Sequence, residues 1–267
     1  MTQSKHVLAP MVRRLAKWST LDREDRQAVL DLPFERRRIA RGHYVKRAGD
    51  EPAQAQLLVS GFACSQKVVG DGRRQILSVH IEGDVIDLQS AVLRMSDHNV
   101  EALTEVEVAQ VPREALRQLA AERPAVGLAM WHDTLVDAAI EREWLANLGQ
   151  RTARVRLCHL LCEFGVRLRT VGQGTLNRYE LPMTQEDLGD ATGLTAVHVN
   201  RTLKGISGEG LVAKRGHSVF IDDWERLVGA GDFSPHYLYL QDDRRPAGEQ
   251  TARAARQLEP AGARAAG

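Results

Sequence analysis

From Pro10 to Leu32 the apolar residues recur at helical spacing. Met11, Leu15 and Trp18 share a face, and Thr20 reads as the N-cap of a short helix over 22–30 that Pro33 ends. Between Phe34 and Val111 the period changes. Short apolar runs at 57–59, 67–69, 75–79 and 105–111 stand between glycine and aspartate punctuation, including Gly49-Asp50, Gly70-Asp71-Gly72 and Gly83-Asp84. Strands at that spacing predict an all-β sandwich or barrel, with a hairpin at Asp71-Gly72. After Pro112 helical spacing returns. It gives a short helix over 114–121, a long one opened by Pro124, and an amphipathic one over 151–169 with five arginines against the single acid Glu163. Within the long helix Leu128, Trp131, Leu135, Ala138 and Leu145 follow an a/d pattern that Arg142 interrupts. Such a stripe needs cover, from the β domain of its own chain or from a second copy.

The segment from Leu181 to Lys204 carries the most specific pattern. Thr184 is an N-cap with Asp187 in the capping-box position, and the helix it starts, over 185–191, stops at Thr192-Gly193. Thr195 caps a second helix over 196–205. Leu188, Ala191, Leu194, Val199 and Leu203 are spaced to form a small core between the two. This is the pattern of a helix-turn-helix, whose second helix enters a DNA major groove. Residues 208–221 then read as strand, basic turn and strand. That is a wing with Lys214, Arg215 and His217 at its tip.

Composition adds limits rather than a function. With 43% hydrophobic and 27% charged residues and a mean hydropathy of −0.32, the chain reads as a soluble protein. No apolar run suits a membrane helix or a secretion signal, and three cysteines make no disulfide framework, so a cytoplasmic location is expected. The net charge of +1 is unevenly spread. Residues 1–50 carry 12 basic against 6 acidic side chains, residues 51–150 carry 8 against 15, and the remainder 16 against 14. A polyanion is therefore tolerated at the ends and repelled by the middle. The stretch 241–267, rich in Ala, Arg, Gly and Pro, has too few large apolar residues to fold. Gly-x-Ser-x-Gly, P-loop and His-Glu-x-x-His motifs are missing, so no enzyme is expected.

In this order, the glycine-punctuated β segment with Leu57-Leu58-Val59-Ser60-Gly61-Phe62 and Gly83-Asp84, the long helix, and the winged helix with Thr184–Gly189 and Val199–Lys204 resemble the Crp/Fnr superfamily of bacterial transcription regulators. The resemblance spans roughly residues 10–228. It implies an α+β chain: an antiparallel β-roll sensor over 10–123, a dimerisation helix over 124–150, and a winged helix-turn-helix over 151–228. It also implies a homodimer on a palindromic DNA site, with two recognition helices about 34 Å apart, and RNA polymerase as a further partner. Ala196, Val197, Asn200 and Arg201 then face base edges, Arg201 suiting guanine O6 and N7. Valine at 197 cannot accept from cytosine. Thr184, Gln185, Thr195, His198 and Lys204 are expected on phosphates, with the wing residues Lys214, Arg215 and His217.

The sensor is less legible. Relatives that bind cyclic nucleotides carry a Gly-Glu pair and an Arg-Ser or Arg-Thr pair after the Gly-Asp turn. Here Asp87-Leu88 and the stretch Ser96-Asp97 stand near those places, with Arg94 as the nearest cation, so cyclic AMP in the usual mode is not expected. Oxygen-sensing relatives hold an iron–sulfur cluster on N-terminal cysteines. No cysteine precedes Cys64, and none is expected here. Haem has candidate ligands in His43, His80, His98 and His132 but no spacing that favours one. Cys158 and Cys162, at i and i+4, read as buried thiols rather than a redox pair. The rival reading is a β-roll module for a ligand or protein partner whose winged helix no longer reads DNA.

Overall fold

The computed structural model describes residues 6–240; the stretch 241–267 lies outside the described residues. Helix α1 (Ala9–Trp18) turns its Met11, Val12 and Leu15 inwards and is followed by α2 (Arg23–Leu30). Asp22, rather than Thr20, caps α2. Its carboxylate accepts from the Asp25 amide at 2.8 Å while the Asp25 carboxylate accepts from the Asp22 amide at 3.2 Å. Two carboxylates serve both free amides and the positive end of the helix dipole, which a threonine hydroxyl does less well.

Eight strands follow: β1 (Glu35–Ile39), β2 (Tyr44–Lys46), β3 (Gln54–Ser60), β4 (Ala63–Val68), β5 (Arg74–His80), β6 (Val85–Ile86), β7 (Asn99–Ala102) and β8 (Val106–Pro112). They form two antiparallel four-stranded sheets, ordered β1-β8-β3-β6 and β2-β7-β4-β5. Ile39, Val45, Leu58, Ile86, Val100, Val106 and Val108 fill the space between them. The apolar pattern finds β3, β4, β5 and β8 but not β1. That strand, Glu-Arg-Arg-Arg-Ile, buries one residue, lies at a sheet edge and pairs Arg36 and Arg38 with Glu107 of β8. A charged edge discourages pairing with other chains. The hairpin between β4 and β5 turns at Asp71-Gly72 as expected, in a wider loop that the Val69 amide closes on the Arg73 carbonyl at 2.9 Å.

Helix α3 (Arg113–Glu122) leads into α4 (Pro124–Gln150), 27 residues long and so about 40 Å. One face of α4 buries Val126, Ala129, Met130, Val136, Ile140 and Trp144 against α1, the roll and the next helix, α5 (Ala153–Thr170). The opposite face leaves Leu128, Trp131, Leu135 and Leu145 between 51% and 71% exposed. Ala138, the fifth residue of the stripe, is half-buried on the rim of a cavity. The chain's own β domain therefore leaves most of the stripe uncovered.

The C-terminal third holds β9 (Gly174–Thr175), β10 (Arg178–Glu180), α6 (Gln185–Thr192), α7 (Ala196–Gly208), β11 (Ala213–Arg215), β12 (Ser218–Phe220) and α8 (Trp224–Ala230). The four strands form one sheet in the order β11-β12-β10-β9. Beyond α8 the segment 231–240 folds back instead of trailing away. The Tyr237 hydroxyl donates to Glu163 of α5 at 2.8 Å, and the Tyr239 ring meets His132 of α4 edge-on.

Candidate nucleic-acid interface

The pair α6–α7 is assembled from local rules. The Thr184 hydroxyl accepts from the Asp187 amide at 3.1 Å while the Asp187 carboxylate accepts from the Thr184 amide at 2.9 Å, completing a capping box, and the hydroxyl also donates to that carboxylate at 2.8 Å. Gly193 ends α6 with φ +66, a left-handed conformation that glycine adopts without strain. Gly189 has a different reason: a Cβ there would stand 2.5 Å from the Leu194 carbonyl oxygen, so only glycine lets the turn pass so close. The Thr195 hydroxyl then accepts from the His198 amide at 3.2 Å and starts α7, which runs to Gly208, one turn beyond its expected end. Leu188, Ala191 and Val199 are buried between the helices and Leu194 and Leu203 pack against them, as their spacing predicts.

The face of α7 left over is polar and open. Val197 is 80% exposed, Arg201 and Lys204 are exposed, and Ala196, His198 and Asn200 are half-buried. No carboxylate of the described residues lies within 4 Å of Arg201 or Lys204 in an ion pair, so both charges face solvent. Gln185 is exposed at the start of α6. The Thr184 hydroxyl donates to Asp187, whereas Thr195 keeps its hydroxyl hydrogen free of a partner among the described residues. At the wing, Arg215 and His217 are exposed and Lys214 folds its ammonium onto the Gly216 carbonyl. The Arg215 guanidinium lies 5.9 Å from the Phe220 ring centroid, a cation–π spacing that keeps it at the surface.

Most of the arginines between 151 and 169 behave differently: only Arg169 is exposed without a partner among the described residues. Arg151 pairs with Glu143 at 2.6 Å and Asp232 at 3.1 Å, Arg154 with Glu209, and Arg156 donates to the Thr192 carbonyl at the C-terminus of α6. Arg167 is buried, bonded to Glu163 at 3.2 Å, Asp84 at 3.1 Å and the Val79 carbonyl at 2.8 Å. Arg14 of α1 completes this interior network by meeting Asp84, Asp133 and Asp137. Burial alone would raise the Asp84 carboxyl, but Arg14 and then Arg167 outweigh it and hold the group low. Asp137 goes the other way, pushed up by burial and by neighbouring Asp133 and Asp84 against the pull of Arg14. The sequence reading missed Arg14. The available signal was Asp133, a charge on the otherwise apolar buried face of α4, which demands a counter-charge.

Of the residues expected at an effector pocket, Asp87 and Leu88 line a cavity of about 110 Å³ between the roll and α4, with His80, Asp137, Glu141 and Arg167. Asp97 lines an adjoining cavity of about 530 Å³. Asp87 is paired with Lys46, both side chains being buried, and Asp97 with Lys67 and His98. Arg94 is exposed on the loop and lines neither cavity, and Ser96 donates its hydroxyl to the His98 carbonyl. His80, a haem candidate, is held neutral: burial pushes its pKa down to about 3. Ser65 bonds its Nε2 at 2.8 Å. Cys64, Cys158 and Cys162 are buried free thiols, and burial raises the first two to about 12 and about 11. Among the described residues no three His, Cys, Asp or Glu side chains cluster in a way that could hold a metal ion.

A β-roll joined by one long helix to a winged helix-turn-helix is the architecture of a DNA-binding transcription regulator, and comparison with known proteins agrees. A cyclic nucleotide-binding domain model matches residues 36–123 and a Crp-like helix-turn-helix model residues 155–229. The transcriptional activator protein FnrL of Cereibacter sphaeroides is 27% identical over 230 residues, 84% of this chain and 91% of that one. The transcriptional activator protein Anr of Pseudomonas protegens is 24% identical over 216 residues, 81% and 86% of the two chains. The solved structure of FixK2 from Bradyrhizobium japonicum superposes with a TM-score of 0.69 at 25% identity, covering 74% of this chain and 98% of that one. The chain belongs to the Crp/Fnr family of transcription regulators.

Proposed function

We propose that the protein acts as a homodimer on a palindromic DNA site, with two copies of α4 covering each other's Leu128, Trp131, Leu135 and Leu145. Four large apolar side chains in a row on one helix face lose that much water contact only against a partner of matching shape, and a second α4 supplies one. Each α7 then lies in a major groove. Arg201 reads guanine, Val197 touches a thymine methyl, and Asn200 and Ala196 complete the base contacts. Gln185, Thr195, His198, Lys204 and the wing residues Lys214, Arg215 and His217 set register on phosphates. The observation that carries this reading is the open face of α7: Arg201 and Lys204 are exposed and have no carboxylate partner among the described residues, whereas Arg154 and Arg167 of α5 have theirs.

The input enters through the cavities between the roll and α4, and it is not cyclic AMP in its usual mode. Asp87 is consumed by Lys46, and Arg94 is exposed and lines neither cavity. Binding at a promoter also brings RNA polymerase within reach as a partner. In-vitro selection from a random DNA pool, with purified protein and no added ligand, tests the reading. The expected product is a two-fold-symmetric motif with half-sites about one helical turn apart. Enrichment of asymmetric single sites would refute the dimeric arrangement, and no enrichment with any added small molecule would refute DNA reading.

A further inference from the structure

Three carboxylates, Glu186, Asp187 and Asp190, sit on α6, the first helix of a unit whose business is a polyanion. Asp187 lies in the first turn of α6 and Asp190 in the second, where phosphates would repel them. Both are held by one residue from the other end of the molecule. Arg74, at the start of β5 in the roll, places Nη2 2.5 Å from Asp187 Oδ1 and Nε 2.7 Å from Asp190 Oδ2, and Nη1 lies 3.5 Å from Glu101. Next to it, Gln75 Nε2 donates to the Asp190 carbonyl at 2.6 Å. No other cation among the described residues pairs with Asp187 or Asp190. Burial works against the Arg74 charge, but hydrogen bonds to Asp190 and then Asp187 more than offset it and raise its pKa.

From this geometry we infer that Arg74 is a positioning residue for DNA recognition: a clamp from the sensor roll that sets the angle of the reading head. The inference rests on the proposed dimer on a palindrome. Asp187 does two jobs, since its Oδ2 accepts from the Thr184 amide at 2.9 Å while its Oδ1 meets Arg74. The clamp therefore grips the N-cap of α6, the rigid end of the helix-turn-helix. It does not mask the unit, because α7 stays open on its far side, so its effect is to hold rather than to block. A dimer reading two half-sites needs both heads at a fixed spacing, whereas a single half-site needs only one head in any orientation. Strand β5 also lines the sensor cavities through Gln75, Ile76, Ser78 and His80. A ligand that shifts β5 thus moves a residue bonded directly to α6.

The test compares affinity for the selected palindrome with affinity for a duplex of equal length holding one half-site. Variants are Arg74→Glu, Asp190→Arg and the two combined, each checked for an unchanged melting temperature. Arg74→Glu should weaken palindrome binding at least tenfold and half-site binding less than twofold, and adding Asp190→Arg should recover most of the loss. A general loss of structure would lower both affinities and would not be rescued. An unchanged palindrome-to-half-site ratio in Arg74→Glu overturns the clamp while leaving DNA reading intact. Failure of the unsubstituted protein to bind either duplex overturns both.

Discussion

Arg167 and Arg201 are the same residue used in opposite ways. Arg167 lies inside, bonded to Glu163 of its own helix, the Val79 carbonyl of β5 and Asp84 in the turn after β5, and joins the roll to the DNA-binding third. Arg201 stands on α7 with its charge facing solvent. A guanidinium in the interior is stable only where carboxylates and carbonyls surround it, and such a cation is no longer available to a phosphate. The count of basic residues along a segment therefore says little about nucleic acid until each cation's partner is known.

Three substitutions break this contrast, in falling order of effect. Arg167→Met leaves Asp84 and Glu163 buried with less compensation and should cost about 3–5 kcal/mol of stability, read by urea unfolding. Arg201→Ala should leave unfolding unchanged but cost about 1–3 kcal/mol on the selected site and relax one base step, read by titration against site variants. Arg154→Ala removes an ion pair with Glu209 in which both side chains are about four-tenths exposed. It should change stability by no more than about 1 kcal/mol, measured the same way, and leave DNA affinity within twofold. If Arg154→Ala weakened DNA binding as much as Arg201→Ala, the division between inward and outward arginines would fail.

The helix-turn-helix was legible because its determinants are local. Caps at Thr184 and Thr195, the turn at Gly193 and the small core around Val199 all lie within two dozen residues, and each is set by backbone rules. The strands of the roll with apolar alternation were legible for the same reason. The partners of Arg14, Arg74 and Arg167 were not, because apart from Glu101 and Glu163 the carboxylates they meet lie between 70 and 123 residues away in sequence. The edge strand β1 was invisible for another reason: its outward side chains carry charge on both faces, so no period of two survives. At the sensor, the sequence located Asp87 and Asp97 near a cavity but could not tell that Lys46 and Lys67 already occupy them.

The four tryptophans divide the molecule in a way that suits an optical experiment. Trp18 stacks on His132 at 4.9 Å and bonds Asp133, where α1, α4 and the returning segment 231–240 meet. Trp131 stands in solvent on the stripe of α4. Trp144 donates to Glu163 across the α4–α5 joint, and Trp224 lies edge-on to Phe233 in the DNA-binding third. Intrinsic fluorescence from chains retaining one indole each would thus report separately on the N-terminal joint, the exposed face of α4, the α4–α5 joint and the DNA-binding third. The protein carries its own four-channel gauge of local change, with no dye attached.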